Sequence, residues 1–159
     1  MPRLPTDYAA TTMVAGRGHG PAVSIAPLSF WGGYDAATGL IVEKRHPSYG
    51  QSLAGRVMVM ATAKGSSSSS SVLAEAIRNG QAPAAVIMRE RDIIVALGCI
   101  VASELYAIDV PVVIVDAATW EAIGQAGDGC GIAVDADSRA ARITIDLLEA
   151  GAKRVEHHG

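Results

Sequence analysis

The rhythm of apolar and polar positions changes near Arg56. Upstream, two short β-suited runs, Thr11 to Ala15 and Ala22 to Ala26, flank Gly16-Arg17-Gly18-His19-Gly20, which reads as a hairpin or sharp turn. A long irregular stretch follows from Pro27 to about Gly55, with a short strand expected at Leu40 to Glu43. A loop of that length inside a small domain is usually functional or packed against something. Downstream, Val57 to Met60 is a continuous apolar run suited to a strand buried on both faces. A helix is expected from about Ser67 to Asn79, with Val72, Leu73, Ala76 and Ile77 on one stripe and Gly80 and Pro83 ending it. Ala84 to Met88 reads as a strand, and the length of Asp92 to Tyr106 favours a helix, interrupted at Gly98. Val110 to Val115, Gly131 to Val134 and Arg142 to Ile145 read as strands, and Ala117 to Ala126 and Leu147 to Lys153 as helices.

This alternation predicts an α/β fold: a mainly parallel sheet covered by helices and fed by an antiparallel N-terminal part. Residues 1–8, with Pro2 and Pro5, are expected to be a loose leader, 9–155 a single domain with one core, and VEHHG a frayed end. With 50% hydrophobic and 4% aromatic residues, that core must be aliphatic. The positive mean hydropathy, +0.28, implies an additional buried surface.

Charge and cysteine usage narrow the function classes. A formal net charge of -3 with no basic stripe argues against nucleic acid as a partner. The longest apolar run, Ile93 to Ala102, falls short of the roughly 20 residues of a membrane helix. The start MPRLPTDYAA has no apolar export region, so a cytoplasmic location is expected. Cys99 and Cys130 are too far apart for a local ligand pair and are expected to be small buried hydrophobes. Two thiols do not make a cluster that needs three or four.

The candidate chemistry lies in Lys64-Gly65-Ser66 and the serines that follow, up to Ser71. Such a run elsewhere would be a flexible linker, but here it joins a buried-type strand to an amphipathic helix. Serine is a strong N-cap and Gly65 permits a tight turn, so a well-capped helix start is one reading. The other is an anion site, because the first N–H groups of a helix lack internal partners and its positive end favours an anion. The helix end contributes at most about 2 kcal/mol, or about 1.5 pKa units. A serine base therefore needs a further cation or metal ion to stabilise its alkoxide. His46, before Pro47, is a candidate for positioning a substrate oxygen and otherwise a surface loop histidine; His19 is expected in solvent. Arg17, Lys64 and Arg89 near strand ends are candidates for holding a carboxylate.

In order and spacing, GRGHG, LSFWGGYDAATG, HPSYGQSLAGRV, KGSSSSSSVL and APAAVI resemble the small subunit of the aconitase X family, over roughly Val14 to Val115. The resemblance implies the swivelling β/β/α domain that closes over the active site in aconitase-like enzymes. It also implies a hydro-lyase that is incomplete without a larger subunit, with an iron–sulfur cluster on that subunit and no cofactor on this chain. The superfamily's Gly-Ser-Ser loop, whose first serine is the base, falls here on Gly65, Ser66 and Ser67. By resemblance Ser66 is the general base and Ser67 and Ser68 supply backbone or hydroxyl contacts; Gly65, in the same loop, and His46, from its own place before Pro47, are the further substrate-binding candidates. Ser68 stands where aconitases place a substrate-binding arginine, so the carboxylate must be held by other groups. The implied substrates are small hydroxy acids: cis-3-hydroxy-L-proline, favoured by the serine-rich loop and the extended N-terminus, or mevalonate 5-phosphate. A non-catalytic swivelling interaction domain is the competing class.

Overall fold

The computed structural model describes residues 5–146. In chain order its elements are β1 (Thr6–Val14), β2 (Gly16–Ile25), α1 (Phe30–Gly33), β3 (Val57–Met60), α2 (Ser69–Arg78), β4 (Ala85–Met88), α3 (Ile93–Tyr106), β5 (Val112–Ile114), α4 (Ala117–Ala126), β6 (Gly131–Ala136) and β7 (Ala141–Asp146). The strands close into a barrel in the order β1-β5-β4-β3-β2-β6-β7. The run β2-β3-β4-β5 is parallel, and β1 with β5 and β7, β2 with β6, and β6 with β7 are antiparallel.

This is the expected α/β class, and burial explains why its two parts read differently. Every residue of β3 and β4 is buried, because helices cover the parallel strands outside while the barrel fills inside. In β6 and β7 buried and more exposed residues alternate, as in antiparallel strands with one wet face. Alternation along each strand also divides the expected single core into two clusters. Met58, Met60, Val86 and Met88 face α2 and α3, meeting Leu73, Ile77 and Cys99. Val57, Val59, Ala85 and Ile87 face the other way, toward Val113, Ile132, Val134 and Ile143.

Several boundaries differ from the pattern reading. The expected leader includes strand: Thr6, Asp7 and Tyr8 pair with Ile145, Thr144 and Ile143 of β7, and residues 1–4 lie outside the described part. The glycine-rich segment is not a turn. Gly16 to Gly20 pair with Ala136 to Ile132 as the first half of β2. Its glycines serve close approach, since a Cβ on Gly18 would overlap the Ala84 carbonyl oxygen. Nor does Gly98 interrupt α3. A Cβ there would lie 2.9 Å from the Ser70 carbonyl oxygen and 3.1 Å from the Leu73 Cβ, so the glycine lets α3 press against α2. The expected helix at Leu147 to Lys153 and the frayed end lie outside the described residues.

The stretch from Pro27 to Gly55 is folded onto the barrel rather than free. Leu28, Phe30, Ile41 and Leu53 are buried in the helix-side cluster. Bridges from Tyr34 to Ile41 and from Leu40 to Ser52 replace the expected short strand. The Tyr34 hydroxyl donates to the Gln81 carbonyl, and burial, with Asp35 adding to it, pushes the phenol well above its ordinary range.

Candidate active site at the serine corner

Parallel strands end on one edge of a sheet, and ligands of α/β folds commonly bind beyond those carboxyl ends. The loop after β3 emerges at this edge and carries Lys64, Gly65 and Ser66 before α2 begins. Regular helix starts at Ser69, two residues later than the pattern implied. It is preceded by a tighter turn in which the N–H groups of Ser69, Ser70 and Ser71 donate to the carbonyls of Ser66, Ser67 and Ser68. The Ser66 Oγ accepts from the Ser68 N–H at 3.1 Å, capping the turn, and Ser66, Ser67 and Ser68 are all exposed. Among the described residues the Ser67 N–H has no hydrogen-bond partner. An exposed hydroxyl thus stands beside an unpaired donor at the positive end of a helix.

Gly65 is required twice over. Its φ of +100° is unfavourable for residues with a side chain, and a Cβ would overlap the Ser29 hydroxyl. Ser29 in turn donates to the Trp31 carbonyl at 2.9 Å, and the Trp31 N–H donates to the Ser69 Oγ at 3.0 Å. These bonds tie the aromatic segment to the serine loop and turn its two rings apart. Phe30 is buried edge-on against Tyr34, with ring centroids 5.2 Å apart, while Trp31 is 58% exposed. Ser29 and Ser69 were therefore missed by the sequence reading. Nothing in the serine run distinguishes Ser69 until the helix turns it inward.

A cavity of about 70 Å³ lies against the loop, walled by Phe30, Lys64, Gly65, Ser66, Ser69 and Asp92, with Ile94 and Val95 beside them. The Lys64 Nζ lies 3.0 Å from the Glu43 Oε1, while the Glu43 Oε2 is buried with no hydrogen-bond partner.

His46 departs from both expectations made for it. It is buried, its Nε2–H donates to the Ala26 carbonyl at 2.8 Å, and its Nδ1 accepts from the Ser48 N–H at 3.0 Å. With both ring nitrogens engaged, it pins the long loop and has no free atom for substrate. His19 is exposed on β2, and Arg17 pairs with Asp135. Arg89 donates to the Val115 carbonyl at 2.7 Å. Beside it, hydrogen bonds from Thr119 hold the Asp116 carboxyl below its ordinary range, with Arg89 adding a smaller effect.

The two cysteines are buried in different clusters, Cys99 on the helix side and Cys130 inside the barrel. Burial pushes the Cys99 thiol up to about 12, away from the thiolate a metal requires. Among the described residues no three His, Cys, Asp or Glu side chains converge as metal ligands. The residues present do not fit an iron–sulfur cluster. Reconstitution of the isolated chain with iron and sulfide is accordingly expected to yield no stoichiometric cluster by absorbance and iron analysis. A cluster on this chain alone would overturn that division of labour. No helix among the described residues is long and apolar enough to cross a membrane.

The fold is thus a closed seven-stranded barrel of mixed strands, with the serine-rich loop at the carboxyl edge of its parallel part. Residues 7–144 match the model of the aconitase X swivel domain. The chain belongs to that family. It is 45% identical over 103 residues to a cis-3-hydroxy-L-proline dehydratase of Pseudomonas aeruginosa, covering 64% of this chain and 18% of that protein. It is 37% identical over 123 residues to the phosphomevalonate dehydratase small subunit of Methanothermobacter thermautotrophicus, covering 77% and 88%. The crystal structure of Thermococcus kodakaraensis aconitase X in its holo-form superposes with a TM-score of 0.72 at 32% identity, covering 87% of this chain and 98% of that one. The chain thus spans about a fifth of the hydroxyproline dehydratases it matches and most of the archaeal small subunit.

Proposed function

We propose that this chain is the serine-bearing small subunit of an aconitase X-type hydro-lyase, with Ser66 as general base. The observation that carries the proposal is the exposed Ser66 hydroxyl, which caps the turn, beside the unpaired Ser67 N–H at the rim of a small cavity. The base takes the proton from the carbon next to the substrate carboxylate. The electron pair of that C–H bond becomes the new double bond, and the neighbouring C–O bond breaks to release hydroxide, which leaves as water by taking up, in net terms, the proton held on Ser66, so that the alkoxide is regenerated. Assistance to the leaving hydroxyl, and the remaining stabilisation of the serine alkoxide, fall to the larger subunit.

The favoured substrate is cis-3-hydroxy-L-proline, supported by the 45% identity to the bacterial dehydratase. Phosphomevalonate is the second reading, supported by matches over 88% and 94% of two archaeal small subunits. Incubating the chain together with its larger subunit and each compound in turn decides between them. Turnover of neither, in a complex that forms, overturns the enzymatic reading and leaves an interaction domain.

The exposed Trp31 is proposed as an anchor for the larger subunit. Trp31→Ala is expected to weaken association roughly tenfold without changing the melting temperature of the isolated domain. Unchanged binding in a titration would count against that anchor.

A further inference from the structure

Helix α3 is apolar almost all round, with Glu104 the single charged residue in IIVALGCIVASELY. One side, Val95, Ala96, Cys99 and Ala102, is buried with Gly98 against the body of the domain. The opposite side is in solvent: Ile93 is 79% exposed, Leu97 47%, Ile100 43% and Leu105 68%. Ile93, Leu97 and Ile100 follow one another at helical spacing and make a continuous stripe, and Ile108 extends the apolar exposure past the helix end. The neighbouring α2 instead directs Ser71, Glu75 and Arg78 outward. A helix without a polar face is normally buried, and a large exposed apolar patch marks an interaction surface.

We infer that the Ile93-Leu97-Ile100 face of α3 is where the larger subunit seats when it closes the serine corner. This rests on the proposed function and adds the surface by which the partner is recognised. Position identifies the occupant. The stripe begins at the rim of the cavity, because Asp92, Ile94 and Val95 of the first turn of α3 are part of its wall with Ser66. Whatever completes that cavity must lie over this turn. Trp31, tied to Ser69, stands exposed at the same corner. In the Pseudomonas aeruginosa relative the matched segment is 18% of the protein, so there the domain is joined to a much larger remainder. A second copy of this chain on the same stripe would cover the corner without adding groups for the elimination.

The test uses the larger chain from the same genome that aligns with the remainder of the hydroxyproline dehydratase. Ile93→Glu and Leu97→Glu are each expected to raise the dissociation constant about thirtyfold or more, while Ala133→Glu, on the antiparallel side of the barrel, binds as wild type. Ile93→Glu places a carboxylate in the first turn of a helix, so the isolated domain should melt no lower than wild type. The weakening therefore cannot be ascribed to unfolding. Undiminished association of both variants overturns the inference, as does equal weakening by Ala133→Glu. A wild-type chain that sediments alone as a dimer, and that Leu97→Glu splits into monomers, assigns the face to a second copy and also overturns it. The outcome is separable from the catalytic reading. If Ser66→Ala keeps normal turnover while Leu97→Glu loses the partner, the surface stands and the base falls; the reverse pattern sinks the surface alone.

Discussion

Replacing Ser66 with Ala in the assembled enzyme is expected to lower kcat by a hundredfold or more, the usual scale for loss of a positioned base. The Michaelis constant and association with the larger subunit should change little, because the Ser67 N–H and the helix end that would meet the substrate remain. The six adjacent serines make the comparison demanding, and their hydrogen bonds select the controls. Ser70 donates to the Ser67 carbonyl and Ser71 is exposed a turn further along, so Ser70→Ala and Ser71→Ala should keep near-normal rates. Ser69 is no neutral control: its buried hydroxyl accepts from the Trp31 N–H, and its removal disturbs the aromatic segment. A near-normal rate for Ser66→Ala would reduce the loop to a capped helix start.

Gly18→Ala is expected to have the largest effect on stability, about 3 kcal/mol, lowering the melting temperature by about 10 °C. The new Cβ would overlap the Ala84 carbonyl oxygen and stand 2.8 Å from its carbon and 3.3 Å from the Ala85 Cβ. The obstruction is backbone at the start of a central strand, which cannot rotate away as a side chain would. Gly124→Ala provides the contrast. A Cβ at this α4 glycine meets nothing within 4 Å, so the substitution should stabilise by about 0.5–1 kcal/mol through better helix propensity. Urea or thermal denaturation of both variants measures the difference. A Gly18→Ala domain as stable as wild type would mean that the strands separate there at little cost.

The chain's periodicity carried most of the parallel half. The strand at Val57 to Met60 and the helix at Ala117 to Ala126 have the bounds the pattern implied, because a strand buried on both faces must be apolar throughout and a helix shows its stripe. The order and spacing of the motifs likewise indicated the family and singled out the serine corner. Barrel closure was not legible, since the antiparallel partners β1 and β7 are at opposite ends of the chain and pairing at that separation leaves no local signal. The same limit explains GRGHG. Glycines at a turn and glycines at a close strand crossing look identical until Ala84 is brought against them. Whether a residue meets substrate or core was also decided only in three dimensions. His46 and Ser69 are polar in sequence yet buried, Trp31 and the outer face of α3 are apolar yet exposed, and residue type alone does not say which side of an element faces its own domain. Local pattern determined the elements and the serine-rich loop between β3 and α2; long-range packing determined that Ser69 is turned into the domain while Ser66, Ser67 and Ser68 stay exposed.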